Sequence, residues 1–517
     1  MTHLSRRQLL RTGLAVGGAA AISGTGLAAP SSASPAFVRS GRGALTHGVA
    51  SGDVTFDSAI LWARADRPGR LVAEVRIPGR SGGVRQVRGP FVDSASDLTG
   101  RMRLTGLRPG ETYEYTIAVQ TDRHSGPGVP GLLTTSPRDR RDVSFVWTGD
   151  TAGQGWGRHI EAGMPGYTAM ADLDPDFFVH SGDTVYSDGP IPATKARRDG
   201  SIWRNVVSDG VENVAQSLEE FRGRHRYNVG DRHVQAMNSR VPVYAQWDDH
   251  EVTNNWYPGE VLTDPRYTIE NRADVLAERA RQAFTEYFPL DRRSRDREGK
   301  VYGKFSRGPL LDVFMLDMRT YRGANSANLQ PAAGPDTRFL GEEQVDWLVR
   351  EAKRSKATWK AVMSDMPLGL VVPDGPLQEA VANGDNGAPR GRELEIAALL
   401  SRLKAAGVTN LVWFTADVHY CAAHSYSPER AAFTDFDPFW EFVGGPINAG
   451  GFGPNALEGT FGPQVEFQLA ADYPNQDPGA GKQFFGHSRI DGTTGALEVS
   501  LRNIGGQVLF TKVLEPR

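Results

Sequence analysis

"DFFVHSGDTVYSDGP", Asp176 to Pro190, changes character half-way along. It opens with Phe177, Phe178 and Val179, a short apolar run of the kind that fills a buried strand. Within a few residues it becomes His180, Gly182, Asp183, Tyr186 and Asp188. A strand of core character that ends in metal-ligand residue types is a pattern to look for elsewhere in the chain.

It recurs. "VSFVWTGD" ends in Asp150, and "NLVWFTADVHY" carries Asp417 and then His419. Asp365 follows "WKAVMS", and Asp248, Asp249, His250 and Glu251 crowd after "VPVYAQW". Helical patterns lie between these runs. They include "PGYTAMADLDPD", "NRADVLAERARQAFTEYF" with Asn271 as its expected cap, "GEEQVDWLVREAKRS", and "GRELEIAALLSRLKAAG" closed by Gly407. Strands alternating with helices read as an α/β region with helices covering sheet faces, and the tail "GALEVSLRNIGGQVLFTKVLE" reads as a final hairpin. In such sheets ligands gather beyond the carboxyl ends of strands.

Ahead of this region, from about Ala44 to Pro137, short strand-forming runs are punctuated by Gly, Pro and Asp. "MRLTGLRPGETYEYTIAV" has a Pro-Gly turn followed by Tyr113 and Tyr115 in alternation with polar residues. That resembles the corner and following strand of an immunoglobulin-like or fibronectin-type sandwich, the alternative being an ordinary β-hairpin. "LLTTSPRDRRD" reads as the junction. The expected organisation is a leader at 1–36, an N-terminal all-β sandwich at 40–137 and the α/β region at 140–517.

The leader has Arg6 and Arg7 ahead of "TGLAVGGAAAISGTGLAA", a Gly- and Ala-rich run weaker than a membrane anchor. This reads as a twin-arginine export signal, with the export machinery as partner and a secreted or cell-surface destination. No later stretch has the roughly 18 uninterrupted apolar residues of a transmembrane helix. Across 517 residues the net charge is -3 and charged residues make up 23%, which argues against a nucleic-acid footprint. The single cysteine, Cys421, closes no intramolecular disulfide.

An Asp after a strand is often only a turn or a helix cap. If the five strand ends meet, however, Asp150, Asp183, Asp249, Asp365 and Asp417 share one pocket. So many carboxylates at close range require cations.

The order of the motifs supplies a resemblance. "GD" at Asp150, "GDTVY" at Asp183 and Tyr186, "DDHE", "VMSD" and "ADVH" resemble, in sequence, the GD, GDxxY, GNHE, VxxH and GHxH motifs of purple acid phosphatases. "FFVHSGDTVYSDG", "WDDHEVTNNW" and "FTADVHY" are more similar still to the PhoD-like (alkaline phosphatase D) branch of binuclear metallophosphoesterases. The resemblance covers nearly all of the chain after the leader. It implies an α/β metallophosphoesterase of two sheets flanked by helices in four layers, behind a fibronectin/immunoglobulin-like sandwich. The implied activity is hydrolysis of phosphate mono- or diesters. Alternatives are a phospholipase D-like or teichoic-acid phosphodiesterase and, from another class, a non-catalytic binding protein with a degenerate phosphoesterase fold. Intact Asp183, His250 and His419 argue against the last.

The resemblance also implies roles. Asp183 is shared between two metals, and Asp150, Tyr186 and His419 complete the first site, which suits Fe³⁺. Asp249, Asp365 and Asp417 form an oxygen-rich second site suited to Ca²⁺, with Asn254 a further oxygen ligand or substrate contact. Mn²⁺, Mg²⁺ and Zn²⁺ stay open, because relatives place a Cys near the first motif and "WTGDTAGQGWG" has none. A metal-bound hydroxide would attack phosphorus, with His250 binding substrate and serving the leaving oxygen. The alternative role for His250 is that of a histidine merely held by Asp248. His180 reads as a core residue and Gly153–Gly157 as a loop able to approach phosphate. Ile191–Ser208 and Pro373–Arg390 read as lids.

Overall fold

The computed structural model describes residues 42–517 apart from 81–83, 122–123 and 292–299; the leader expected at 1–36 lies outside the described residues. Strands β1 (Leu45–Gly52), β2 (Ser58–Ala65), β3 (Gly69–Arg76), β4 (Arg85–Val92), β5 (Thr99–Thr105), β6 (Thr112–Gln120) and β7 (Val129–Thr134) come first. They form two antiparallel sheets, β1-β2-β5 and β4-β3-β6-β7. Three strands packed on four in this order make a fibronectin type III-like sandwich. On β6, Tyr113, Tyr115, Ile117 and Val119 alternate into the core, as a half-buried strand requires. The Tyr113 hydroxyl accepts the Arg108 N–H at 2.7 Å, which is the tyrosine corner expected of the Pro-Gly turn.

The second region starts with β8 (Val143–Thr148), β9 (Phe177–Ser181), β10 (Thr194–Ala196), β11 (Ile202–Arg204) and β12 (Val243–Gln246). It continues with β13 (Gly303–Arg307), β14 (Leu311–Met315), β15 (Trp359–Met363), β16 (Pro373–Asp374), β17 (Leu377–Gln378) and β18 (Leu411–Thr415). It closes with β19 (Cys421–Tyr426), β20 (Phe439–Val443), β21 (Pro463–Leu469), β22 (Phe484–Ile490), β23 (Leu497–Asn503) and β24 (Val508–Leu514). One sheet runs β12-β9-β8-β22-β23-β24 and the other β13-β14-β15-β18-β20-β19-β21. Neighbours are parallel from β12 through β9 to β8 and from β14 through β15 and β18 to β20.

The two sheets pack face to face. Phe145, Trp147, Phe177 and Val179 of the first share a core with Val313, Met315 and Phe414 of the second. The Phe414 ring meets the Trp147 ring edge-on at 4.7 Å. Helices cover the outer faces. Met170 of α1 (Gly166–Ala171) and Met237 of α3 (Arg232–Asn238) pack on Phe178 and Val243, with α2 (Leu218–Val229) beside them. Leu348 of α5 (Glu342–Arg354) and Leu400 of α6 (Glu393–Ala405) pack on Phe314, Val362 and Trp413. The result is four layers, helix–sheet–sheet–helix.

Helix α4 (Ala273–Tyr287) starts two residues after the expected cap: Arg272 is the cap residue, and the Asn271 side chain instead donates to the Leu262 carbonyl at 3.2 Å. The end of α4 also joins the sandwich to the second region. Asp97 takes Arg64 at 2.9 Å, Arg226 at 2.8 Å and the Tyr287 hydroxyl, while Trp62 donates to the Glu286 carbonyl at 2.7 Å.

Candidate metal centre

The parallel strands of both sheets end on the same side of the molecule, and the chemistry sits there. Gln246, at the end of β12, ties the sheets together: its amide donates to Leu316 O at 2.9 Å and Met363 O at 2.8 Å. Asp150 and Asp183 leave β8 and β9 in the left-handed region, at φ 64° and 49°. Asp417 and His419 do the same after β18, at 66° and 59°. Left-handed non-glycine residues are uncommon and cluster where side chains must be aimed.

Three overlapping groups of donor atoms result, each within 4.8 Å: Asp150–Asp183–His419, Asp183–Asp249–His250 and Asp248–Asp249–Asp417. The Tyr186 hydroxyl joins the first, 2.8 Å from His419 Nε2. His419 Nδ1 lies 2.5 Å from the Gly450 carbonyl, which fixes the ring with Nε2 turned towards Tyr186 and Asp150. Burial holds His419 neutral, down at about 4. A neutral imidazole tied at one nitrogen is the form that ligates metal.

Cations fit this donor set. Both carboxylate oxygens of Asp150 and of Asp365, and one of Asp248, are buried without a hydrogen-bond donor. Burial first, and the neighbouring carboxylates second, push Asp150, Asp183, Asp365 and Asp417 well above the usual carboxylate range. Positive charge between them would relieve both penalties.

The expected site residues are thus brought close together, with two differences in detail. Asp248, expected only as a possible support for His250, lies with Asp249 and Asp417, whereas Asp365 falls in none of the three groups. Asp365 adjoins Asp248 and lies 3.6 Å from the Arg319 guanidinium. The support of His250 is Asp188, not Asp248: its carboxylate lies 2.7 Å from His250 Nδ1 and accepts the Asn254 N–H at 3.1 Å. Asn254 itself is exposed at the rim. Burial opposes charge on His250, but Asp188 and Asp249 raise it to about 10.

Several residues escaped sequence reading. Glu251 binds the Thr184 N–H at 2.5 Å, the Thr184 hydroxyl at 2.6 Å and the Asp248 N–H at 2.7 Å, locking the Asp183 loop to the Asp248 loop. Its place in "DDHE" was the available signal. Arg319, fully buried, pairs with Asp248 at 2.6 Å; "DMRTYRG" gave no sign of it. His180 is a core residue, its Nε2 2.8 Å from the Thr151 hydroxyl. Cys421 is buried in β19 beside the Leu469 carbonyl, outside all three donor groups.

Family models match on both regions: the PhoD-like phosphatase N-terminal domain over residues 31–137 and PhoD-like phosphatase over 145–501. The chain belongs to the PhoD-like phosphatase family. It is a phosphoric ester hydrolase, metal-dependent as the family and the clustered ligands require. Alkaline phosphatase D of Bacillus subtilis (strain 168) is 26% identical over 439 residues, 80% of this chain and 71% of that protein. A solved structure of PhoD superposes with a TM-score of 0.67 at 20% identity, covering 91% of this chain and 89% of the other. The purple acid phosphatase PPD1 from yellow lupin seeds superposes with a TM-score of 0.54 at 13% identity, covering 92% and 74%. The fold is common to all three. No helix among the described residues is long and apolar enough to cross a membrane.

Proposed function

We propose that this PhoD-like phosphatase is an exported enzyme that hydrolyses phosphate mono- and diesters with Fe³⁺ and Ca²⁺ as its ions. The observation that carries the reading is the sharing of Asp183 and Asp249 among three adjoining ligand groups. Asp150, Asp183, Tyr186 and His419 would hold the iron, since a phenolate with carboxylates suits a hard trivalent ion. Asp249 and Asp417, with Asp248 and Asp365, would hold the calcium by oxygen alone, and Asn254 is the remaining oxygen within reach of the rim. When bound, the cations supply Lewis acidity for the phosphoryl oxygens and make a water nucleophilic near neutral pH.

The chain's own residues do the rest. The His250 ring packs against the Tyr186 ring, centroids 4.2 Å apart and planes tilted by 33°, which holds the imidazole in place beside the donor groups. With Asp188 on Nδ1, its Nε2 is the atom free to give a proton to the leaving oxygen. Substrate enters from the rim, where Asn254 is exposed. Export rests on the twin arginines, Arg6 and Arg7.

The test is elemental analysis of protein from the exporting host, with turnover of p-nitrophenyl phosphate and its bis-ester before and after chelation. Iron and calcium should be present, activity should vanish with the metals, and Asp183→Ala should be inactive. Undiminished turnover by Asp183→Ala would sink the mechanism. A visible tyrosinate-to-iron absorption band is expected and should disappear in Tyr186→Phe.

A further inference from the structure

Behind the oxygen-only half of the site lies a buried block of arginines. Arg319 reaches Asp248 at 2.6 Å, Asp249 at 3.7 Å and Asp365 at 3.6 Å. On its far side it meets the Glu379 carboxylate, which also takes Arg322 at 3.0 Å. Arg392 closes the block, donating to the Glu379 carbonyl at 2.6 Å and to the Asn325 amide oxygen at 2.8 Å. All four charged side chains are at most 3% exposed, so water screens none of them.

Guanidinium groups stay charged in proteins. Asp248, Asp249 and Asp417 converge on this half, and Asp365 adjoins Asp248, which makes four carboxylates in reach of the block. The three arginines and Glu379 behind them carry a net charge of plus two. The two sets together leave two negative charges uncompensated. On the other side Asp150, Asp183 and the phenolate form of Tyr186 leave three. Asp183 and Asp249 adjoin both halves, so what sets the oxygen-only half apart is the block, which offsets two of its negative charges. Without it the oxygen-only half would be the more negative.

We infer that the Arg319–Glu379–Arg322–Arg392 block is the specificity determinant of the oxygen-only half, setting its charge so that it selects a divalent over a trivalent cation. Arg319 acts as a positioning residue, reaching the metal only through Asp248, Asp249 and Asp365. The inference rests on the proposed metal-dependent reading and extends it.

The full chain, dialysed against a calcium chelator, is titrated with terbium and with calcium. Terbium is read by its luminescence and calcium by competition. Arg319→Met removes one positive charge, and the ratio of the calcium to the terbium dissociation constant is expected to rise about tenfold, the effect of one unit charge at this range. Arg319→Lys keeps the charge and should leave the ratio within about twofold of the parent. Glu379→Gln removes a negative charge and should lower the ratio about tenfold. The inference is overturned if Arg319→Met and Glu379→Gln give the parent's ratio or move it in the same direction. Should Arg319→Met fail to fold by circular dichroism, the contrast between an unchanged ratio in Arg319→Lys and a lowered one in Glu379→Gln decides the matter. A parent that binds neither ion overturns the functional reading beneath. A parent that binds both, with a ratio indifferent to these charges, overturns this inference alone.

Discussion

Gly182→Ala is the sharpest structural test of how the centre is assembled. Gly182 sits between Ser181 and Asp183 at φ +92°, a conformation that L side chains rarely adopt. A Cβ there would lie 2.5 Å from the Asp248 Cβ and 3.3 Å from the Asp365 Cβ. The backbone strain costs roughly 1–3 kcal/mol. The overlap adds roughly 1–3 kcal/mol, because Asp248 is held on its far side by Arg319 and cannot simply swing away. The expected loss is therefore about 2–6 kcal/mol, a large part of the roughly 5–15 kcal/mol of a whole domain. Urea unfolding measures it, with Gly189→Ala as the control. A Cβ at Gly189 meets nothing closer than the Tyr186 Cβ at 3.4 Å, so its cost should stay within about 0.5 kcal/mol. Metal content should follow stability, with the ion beside Asp248 lost before the one beside Asp150, since Asp248 and Asp365 move first. If Gly182→Ala unfolds at the parent's urea concentration and keeps its metal, the close approach of the Asp183 and Asp248 loops is not what shapes the site.

Further outcomes follow from other contacts. Asp188→Asn cannot satisfy His250 Nδ1 and the Asn254 N–H together with acceptors, so kcat should fall by roughly 10²–10⁴ with KM changed far less, while bound metal stays unchanged. Tyr113→Phe orphans the Arg108 N–H and should destabilise by about 1–3 kcal/mol in urea unfolding, with turnover per folded molecule intact. Glu393, buried and hydrogen-bonded to Glu458, has its carboxyl pushed from 4.5 to about 9, by burial first and then by Glu458. The folded state therefore holds a proton that the unfolded chain has lost, and stability should decline as pH rises from about 4.5 to about 9. Glu393→Gln should flatten that decline, which unfolding curves across the range would reveal. A slope identical to the parent's would count against a shared proton.

The ligand-bearing strands were legible because a single local signal, an apolar run ending in Asp, reports both a buried strand and its exit. Asp150, Asp183 and Asp417 were found that way, and the structure adds the left-handed backbone that aims them. Asp365 gave the same signal and adjoins Asp248 without entering any of the three donor groups, since the pattern locates a strand end and not the direction of a side chain. Arg319 was invisible for a different reason. An arginine after a strand normally reads as solvated surface, and only the pairing of two distant sheets makes it a buried counter-charge. Asp188 was quoted within the deciding stretch, but its partnership with His250 spans 62 positions and no local rule pairs them. The C-terminal hairpin was read correctly as a pair of strands, β23 and β24, while its sheet partner escaped notice. Strand β22 lies against β8, a pairing that depends on the whole intervening chain.

That last pairing sets an order of events during synthesis. The sandwich is complete by Thr134 and has all its strands while most of the chain is still unmade. Strand β8, which presents Asp150, waits for residues Phe484–Ile490 before it gains its second neighbour. Domains fold as units, earliest first, as the ribosome delivers them. The ligand cage therefore closes only once residues Phe484–Ile490 have been made, and its ions are to be acquired by a chain that already includes them.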